Sequence, residues 1–315
     1  MKSGKLYAKR GVLHTFYYIC SMILMGVVNL TPDSFREDTR AMSAAAVRRR
    51  VESLLARGCS IIDFGAVSTR PGAAEVSVET EWQRLQPALD FISNPTVPET
   101  AGIPSLTAAL PANADSSAPP IEADGPLPLS RGWRRSWEGI PAVSVDTTSA
   151  EIVRRVYERI GRFIVNDISA GEDDPQMLPA VAELDLPYVA MHKRGNPRSM
   201  DSLTDYPQGV VAAVNDYFLD FAARAEGLGI REWILDPGFG FAKTAEQNWE
   251  LLENLDAFRH FGRPILVGVA DKRFTRTVNP FDTNATGIPS FSEATGSAYA
   301  ERLAEERGAD ILRIH

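Results

Sequence analysis

The chain has 315 residues, is 44% hydrophobic and 23% charged, and carries two cysteines; this is the composition of an ordinary globular protein with length for one large domain or two smaller ones. A formal net charge of −8 and a pI near 5.2 argue against a nucleic-acid partner, whose binding surface shows as basic excess. Cys20 and Cys59 are too few for a disulfide framework and lack metal-ligand spacing, which points to a reducing compartment, the cytoplasm.

The apolar stretch Phe16 to Val28, preceded by Lys2, Lys5, Lys9 and Arg10, has the outline of a secretion signal. It falls short of the roughly 20 apolar residues that a membrane span requires. A polar turn, Asn29 to Asp33, follows it in place of a small-residue cleavage site. It reads as a buried strand, and no membrane partner is expected.

From there the pattern alternates. Short apolar, β-branched runs suited to buried parallel strands lie at Met22–Val28, Ile61–Phe64, Ala142–Val145, Phe163–Val165, Tyr188–Met191, Trp233–Leu235, Ile265–Val269 and Ile311–Ile314. Amphipathic helical spacing separates them at Ser43–Ala56, Glu79–Ile92, Ser149–Arg159, Pro175–Glu183, Gly209–Leu228, Thr244–Leu255 and Ser292–Arg307. Eight strands alternating with helices predict an α/β fold, a (β/α)8 TIM barrel, as a single domain over residues 1–315. The first strand-to-helix turn, Asn29 to Phe35, has no G-x-G-x-x-G, which counts against an open dinucleotide-binding sheet.

Two stretches break the alternation. Residues 94–141 hold nine of the 21 prolines and no helical or strand period, so they predict a flexible, disordered insertion. It joins the second helix to the third strand and should therefore leave the barrel at its N-terminal face, away from the chemistry. Its end, Arg131 to Trp137, is rich in Trp and Arg, the residues that dominate interface hot spots; a solvated linker is the plainer reading. The other break is the end, where the chain stops at His315 on the eighth strand and the final helix is missing.

In such a barrel, residues at the C-terminal ends of strands carry catalysis. Here they are Asn29; Asp63 followed by Ser68 to Gly72; Asp146 and Thr147; Asn166 and Asp167; His192 to Gly195; Asp236 to Phe241 with Lys243; Asp271 to Arg273; and Arg313 with His315. One or two polar ends solvate a rim; eight in register point to a site. Arg70, Arg313 and His315 offer donors to an oxyanion, and guanidinium suits bidentate phosphate contact. Asn29 offers an oxygen that can join phosphate oxygens around Mg2+. Asp146, Asn166, Asp236 and Lys272 alternate acceptors and donors, as recognition of a flat heterocycle requires, and a carboxylate such as Asp236 can accept two parallel N–H bonds from a 2-amino-4-oxo ring edge. Phe241 can wall the pocket. Structural readings compete: Asp63 as a residue bonded to neighbouring backbone, Asp167 as a loop cap, His192 as a rim histidine.

The segments Met25 to Phe35, Ser68 to Ala73, Val143 to Thr147, Asn166 to Ser169, Met191-His192, Leu235 to Lys243 and Arg313 to His315 together resemble the dihydropteroate synthase family. The resemblance follows the family's order and covers nearly the whole chain outside the insertion. It implies a pterin-binding barrel that joins 6-hydroxymethyl-7,8-dihydropterin diphosphate to 4-aminobenzoate, releasing pyrophosphate with Mg2+ as cofactor, and commonly a homodimer inhibited by sulfonamides. It assigns the pterin to Asp146, Asn166, Asp236 and Lys272. It assigns the diphosphate to Asn29, Arg313 and His315, with Asn29 as the metal ligand. Thr69 and Arg70 match a mobile second loop closing over the diphosphate and aminobenzoate. Asp146, Lys272, Arg70 and Thr69 are the expected catalytic residues.

Four features depart from that family's pattern. Ala270-Asp271-Lys272 stands where Ser-Arg-Lys is usual, so a cation becomes an anion. At about 8 Å from a bound anion and an effective dielectric near 40, such a reversal weakens binding by roughly 2 kcal/mol. The first loop reads Arg36 to Thr39 where a glycine pair is common, Ala66-Val67 replaces Gly-Glu, and the last helix is absent. Ala270-Asp271 and the Trp- and Arg-bearing insertion motivate an alternative, a catalytically weak or inactive pterin-binding paralogue acting as a regulatory or partner-binding subunit.

Overall fold

Strand and helix alternate through the chain. In order they are β1 (Ile23–Asn29), α1 (Ala44–Ala56), β2 (Ile61–Gly65), α2 (Val78–Ser93), β3 (Ala142–Asp146), α3 (Ala150–Ile160), β4 (Ile164–Asp167), α4 (Met177–Glu183), β5 (Tyr188–Met191), α5 (Val210–Leu228), β6 (Trp233–Asp236), α6 (Ala245–Glu253), β7 (Leu266–Val267), α7 (Glu293–Glu306) and β8 (Ile311–Ile314). The computed structural model describes residues 22–31, 44–68, 76–93, 142–195, 199–282 and 291–315. Every strand pairing is parallel, in the order β6-β5-β4-β3-β2-β1-β8-β7. A parallel bridge from Leu235 to Ile265 joins the two ends, and Leu235 N donates to Pro264 O at 2.9 Å. The sheet is thereby a barrel, as the sequence predicts.

Alternation along each strand separates two cores, because successive side chains point to opposite faces. Met25, Ile61, Ala142, Ile164, Val189, Ile234, Leu266 and Ile311, one from each strand, form a buried cluster of their own. That cluster is the packed barrel interior. Outward residues such as Val28, Ile62, Phe64, Val145, Val165 and Tyr188 join the helices' apolar faces in a separate, larger core. The helices are locally well specified. Ser149 caps α3 by accepting from Ile152 N, Thr244 and Gln247 form a capping box on α6, and α5 ends at Gly229 in the left-handed region.

Two elements differ from the sequence expectation. β7 is confined to Leu266–Val267, because the chain turns early: Lys272 N donates to Val269 O, and Asp271 adopts φ of 58°. The sixth helix stops at Glu253, where Asn254 leaves helical geometry, and a 3-10 turn, Leu255–Phe261, completes the segment. The expected insertion, residues 94–141, with its Arg131 to Trp137 end, lies outside the described residues. Among the described residues, no helix is long and apolar enough to cross a membrane.

Moving two residues along the inward positions, apolar gives way to polar on five of the eight strands. Above the apolar layer stand Val27, Asp63, Ser144, Asn166, Met191, Asp236, Gly268 and Arg313, and above those Asn29, Gly65 and Asp146. The barrel is dry at its waist and hydrogen-bonding at its C-terminal mouth.

Glycine packing gives a stability test of this arrangement. A Cβ at Gly296 in α7 would stand 1.9 Å from Thr275 O, whereas one at Gly227 in α5 would meet nothing within 4 Å. Gly296→Ala is expected to destabilise the fold by about 1–3 kcal/mol through overpacking, and Gly227→Ala to stabilise it by about 0.5–1 kcal/mol through helix propensity. Urea unfolding midpoints read both signs; a Gly296→Ala chain as stable as the parent contradicts the α7 placement.

Candidate active site

Asp63 on β2 is fully buried and sits at the centre of the mouth. Its Oδ2 accepts from Arg313 Nε at 2.9 Å and Asn166 Nδ2 at 3.1 Å, and its Oδ1 accepts from Ser144 Oγ at 2.7 Å. Arg313 Nη2 lies 2.8 Å from Asp63 Oδ2 and donates to Asp146 Oδ2 at 3.0 Å. Asp63 therefore connects three residues expected at the site: Asn166, Asp146 and Arg313. Its partners are side chains rather than the neighbouring backbone. Its inward placement was legible from strand period; the identity of its partners, up to 250 residues away, was not. Burial pushes the Asp146 carboxyl up to about 7, against the pull of Arg313 and with a further rise from the Asp63 charge.

Asp236 ends β6 on the neighbouring arc of the mouth. Its Oδ1 accepts from Gly238 N at 2.8 Å, which fixes the carboxylate's rotation. Burial raises its pKa, while that Gly238 hydrogen bond and the charges of Lys272 and Arg313 pull it back. Lys272 Nζ stands 4.9 Å from the centroid of the Phe241 ring, a cation–π contact. Gly240 permits it, since a Cβ there would press on Lys272 Cδ at 3.2 Å. Phe241 packs with Met191, Met200 and Ala242 in an apolar cluster, so one wall is apolar while Asp236 and Lys272 present polar edges.

At the rim, Asn29 and Asp146 flank Gly65: a Cβ on that glycine would lie 3.8 Å from Asn29 Oδ1 and 3.6 Å from Asp146 Cβ. The absent side chain leaves room between them. His315 keeps much of its surface in solvent, yet partial desolvation and then the Arg313 charge hold its ring below the usual imidazole range. Asp271 is exposed, with its N–H donating to Ser297 Oγ at 3.0 Å, and its left-handed φ of 58° is a conformation aspartate tolerates better than most residues. Thr69 and Arg70 lie outside the described residues, as does the first loop from Pro32 to Thr39. The root of the second loop is held by Arg84, whose Nη1 donates to Ala66 O at 2.9 Å.

The remaining candidates sort by their contacts. Asp167 accepts from Ser169 N, Ser169 Oγ, Gly171 N and Tyr188 OH, so it ties down the loop after β4, as expected of a cap. His192 is buried rather than on the rim, with Nδ1 2.9 Å from Lys243 Nζ. Glu81 of α2 is buried beside Thr147, and burial raises its pKa; spacing alone gave no reason to single it out. Among the described residues, no three His, Cys, Asp or Glu side chains are grouped to hold a metal ion. Asn29 contributes a single neutral oxygen, which suits an ion that draws its other ligands from phosphate and water, as Mg2+ does.

The mouth thus pairs a slot edged by hydrogen-bonding groups with Arg313, a guanidinium held between two carboxylates. The model for the pterin binding enzyme family matches residues 25–101 and 131–315. The dihydropteroate synthase of Escherichia coli is 33% identical over 294 residues, 93% of this chain and 86% of that protein. A solved Xanthomonas albilineans dihydropteroate synthase with 4-aminobenzoic acid superposes with a TM-score of 0.66 at 28% identity, covering 94% of this chain and 88% of its own. The same organism's enzyme in complex with 7,8-dihydropteroate gives a TM-score of 0.63 at 26% identity, with 94% and 88% covered. The chain belongs to the dihydropteroate synthase family of pterin-binding enzymes.

Proposed function

We propose that this chain condenses 6-hydroxymethyl-7,8-dihydropterin diphosphate with 4-aminobenzoate to give 7,8-dihydropteroate and pyrophosphate. The observation that carries the reading is the convergence of Asp146, Asn166, Asp236 and Lys272, from four different strands or their loops, on one mouth beside Arg313. Asp236 has one carboxylate oxygen turned to Gly238 N and the other available to a 2-amino-4-oxo ring edge. Asn166, fixed through its Nδ2 on Asp63, keeps its amide oxygen for a ring N–H. Lys272 and Phe241 bound the ring's face, and Asp146 accepts from its far edge.

The reaction then follows an SN1-like course. The methylene C–O bond breaks, the electron pair leaves with the diphosphate, and the pterin ring delocalises the cation left behind. The arylamine nitrogen attacks that carbon, forms the C–N bond and gives up a proton. No protein nucleophile is required; the protein's work is to hold the ring and to stabilise departing negative charge with preorganised donors. Arg313 and His315 supply such donors, and Thr69 and Arg70 are assigned to the loop over the diphosphate. Asn29 would hold a Mg2+ ion, which when bound neutralises phosphate charge. A cytoplasmic homodimer belongs to the same reading.

Turnover is the direct test. The purified chain given both substrates and Mg2+ is expected to release pyrophosphate and dihydropteroate in equal amounts. A folded sample that binds the pterin diphosphate without condensing it would instead favour the paralogue reading motivated by Ala270 and Asp271.

Acidity gives a second test. Burial raises the Asp146 carboxyl to about 7, so its acceptor form is lost as pH falls through that value. Pterin diphosphate affinity is expected to drop between pH 8 and pH 6, by roughly tenfold per unit at most below 7 if a single proton must leave for binding. Calorimetric titration across that range checks it; an affinity flat with pH contradicts Asp146 as a ring acceptor.

A further inference from the structure

The loop carrying Asp236 and Phe241 contains a side chain that the chemistry above leaves unused. Lys243 Nζ lies 2.9 Å from Gly238 O, 3.0 Å from Phe241 O and 2.9 Å from His192 Nδ1. Carbonyl oxygens can only accept, so two N–H bonds of the amine go to them whether it is charged or neutral. Burial draws the Lys243 amine down to about 7, while the Asp236 charge draws it up; both protonation states keep the two donors.

The two carbonyls are the ones that matter for the ring. Gly238 is a pivot: its N–H fixes Asp236 Oδ1 at 2.8 Å, and its carbonyl is fixed by Lys243. Its φ of 72° is in the left-handed region, and a Cβ there would fall 1.9 Å from His192 O, so the pivot is pressed directly onto β5's exit. Phe241 O is the backbone of the residue whose ring walls the pocket. His192, the third partner, is itself held edge-on against Tyr217 with centroids 4.9 Å apart. Tyr206 OH donating to Ala242 O at 3.0 Å and Asn248 Oδ1 accepting from Gly240 N at 2.7 Å secure the loop from outside; Lys243 secures it from within.

We propose that Lys243 is a positioning residue of the pterin pocket, clamping the Gly238 and Phe241 carbonyls so that the Asp236 carboxylate and the Phe241 ring meet the bound heterocycle at a fixed separation. The proposal rests on the pterin-binding reading given above. It concerns the pterin half of the site.

The experiment measures the full chain, Lys243→Met and Lys243→Arg by calorimetric titration with the pterin diphosphate, and by steady-state KM for each substrate. Lys243→Met is expected to raise the pterin Kd and KM by roughly 10- to 100-fold, the scale of a misplacement near 1 Å, with the KM for 4-aminobenzoate unchanged. Lys243→Arg, which returns donors to the carbonyls, is expected to recover most of that loss. Equal pterin affinity in the parent and Lys243→Met, or the same rise in KM for both substrates, overturns the proposal. If Lys243→Met does not fold, Lys243→Gln, whose shorter amide reaches at most one carbonyl, is read in the same way. A parent chain that binds no pterin diphosphate overturns the proposed function itself, so the two failures are distinct.

Discussion

A carboxylate sealed inside a barrel has to be surrounded by donors, and Asp63 meets that condition by drawing in Arg313, Asn166 and Ser144 from three other strands. The consequence reaches beyond Asp63. Arg313 is held by two carboxylates at once, so its guanidinium plane is set before any ligand arrives. Asn166 has one end of its amide committed, which decides what the other end presents. Deleting one member of a buried charge pair commonly costs 3–5 kcal/mol, because the survivor is left uncompensated. The polar layer is therefore a single unit.

This unit explains how an acidic protein can receive an anionic substrate. The net charge of −8 is unfavourable for a diphosphate at long range, but it is screened over roughly 8 Å at physiological salt. Within the mouth, the local balance is set by Arg313, Lys272 and Lys243 against Asp63, Asp146 and Asp236. Burial raises both Asp146 and Asp236, which moderates their repulsion of the incoming phosphate. The apolar cluster of Met191, Met200, Phe241 and Ala242 removes water from one side of the slot, and that strengthens each polar contact on the other.

Much of the fold was legible in the sequence because buried parallel strands read as short, mainly apolar runs, interrupted here by Asp63, Ser144 and Arg313 in three of the eight. The helices were equally clear wherever a cap such as Ser149 or Thr244 marked the start. β7 was overread: Gly268 and Val269 continue the apolar pattern, but the backbone is already turning toward Asp271. The site was legible as a set of strand ends, since position along a strand follows from its own length. The partnerships were not. Asp63 carries no local mark that separates a carboxylate bonded to its neighbours from one that meets Arg313 across the barrel. That depends on the register Met25↔Arg313 and Met25↔Ile61, which only closure of the sheet establishes. Lys243 stood among the strand-end residues without a role of its own for a related reason: its acceptors are backbone carbonyls, which no side-chain pattern announces.

The claim that Asp63 prearranges the mouth is tested most directly by the affinity of Asp63→Asn for the pterin diphosphate, measured by calorimetry on a sample whose folding is confirmed by cooperative thermal unfolding. Asparagine keeps the shape and one acceptor oxygen but removes the charge that anchors Arg313. A loss of about 2–3 kcal/mol in binding, on the order of 30- to 150-fold in Kd, is the predicted result. A folded Asp63→Asn chain that binds as tightly as the parent would contradict the account.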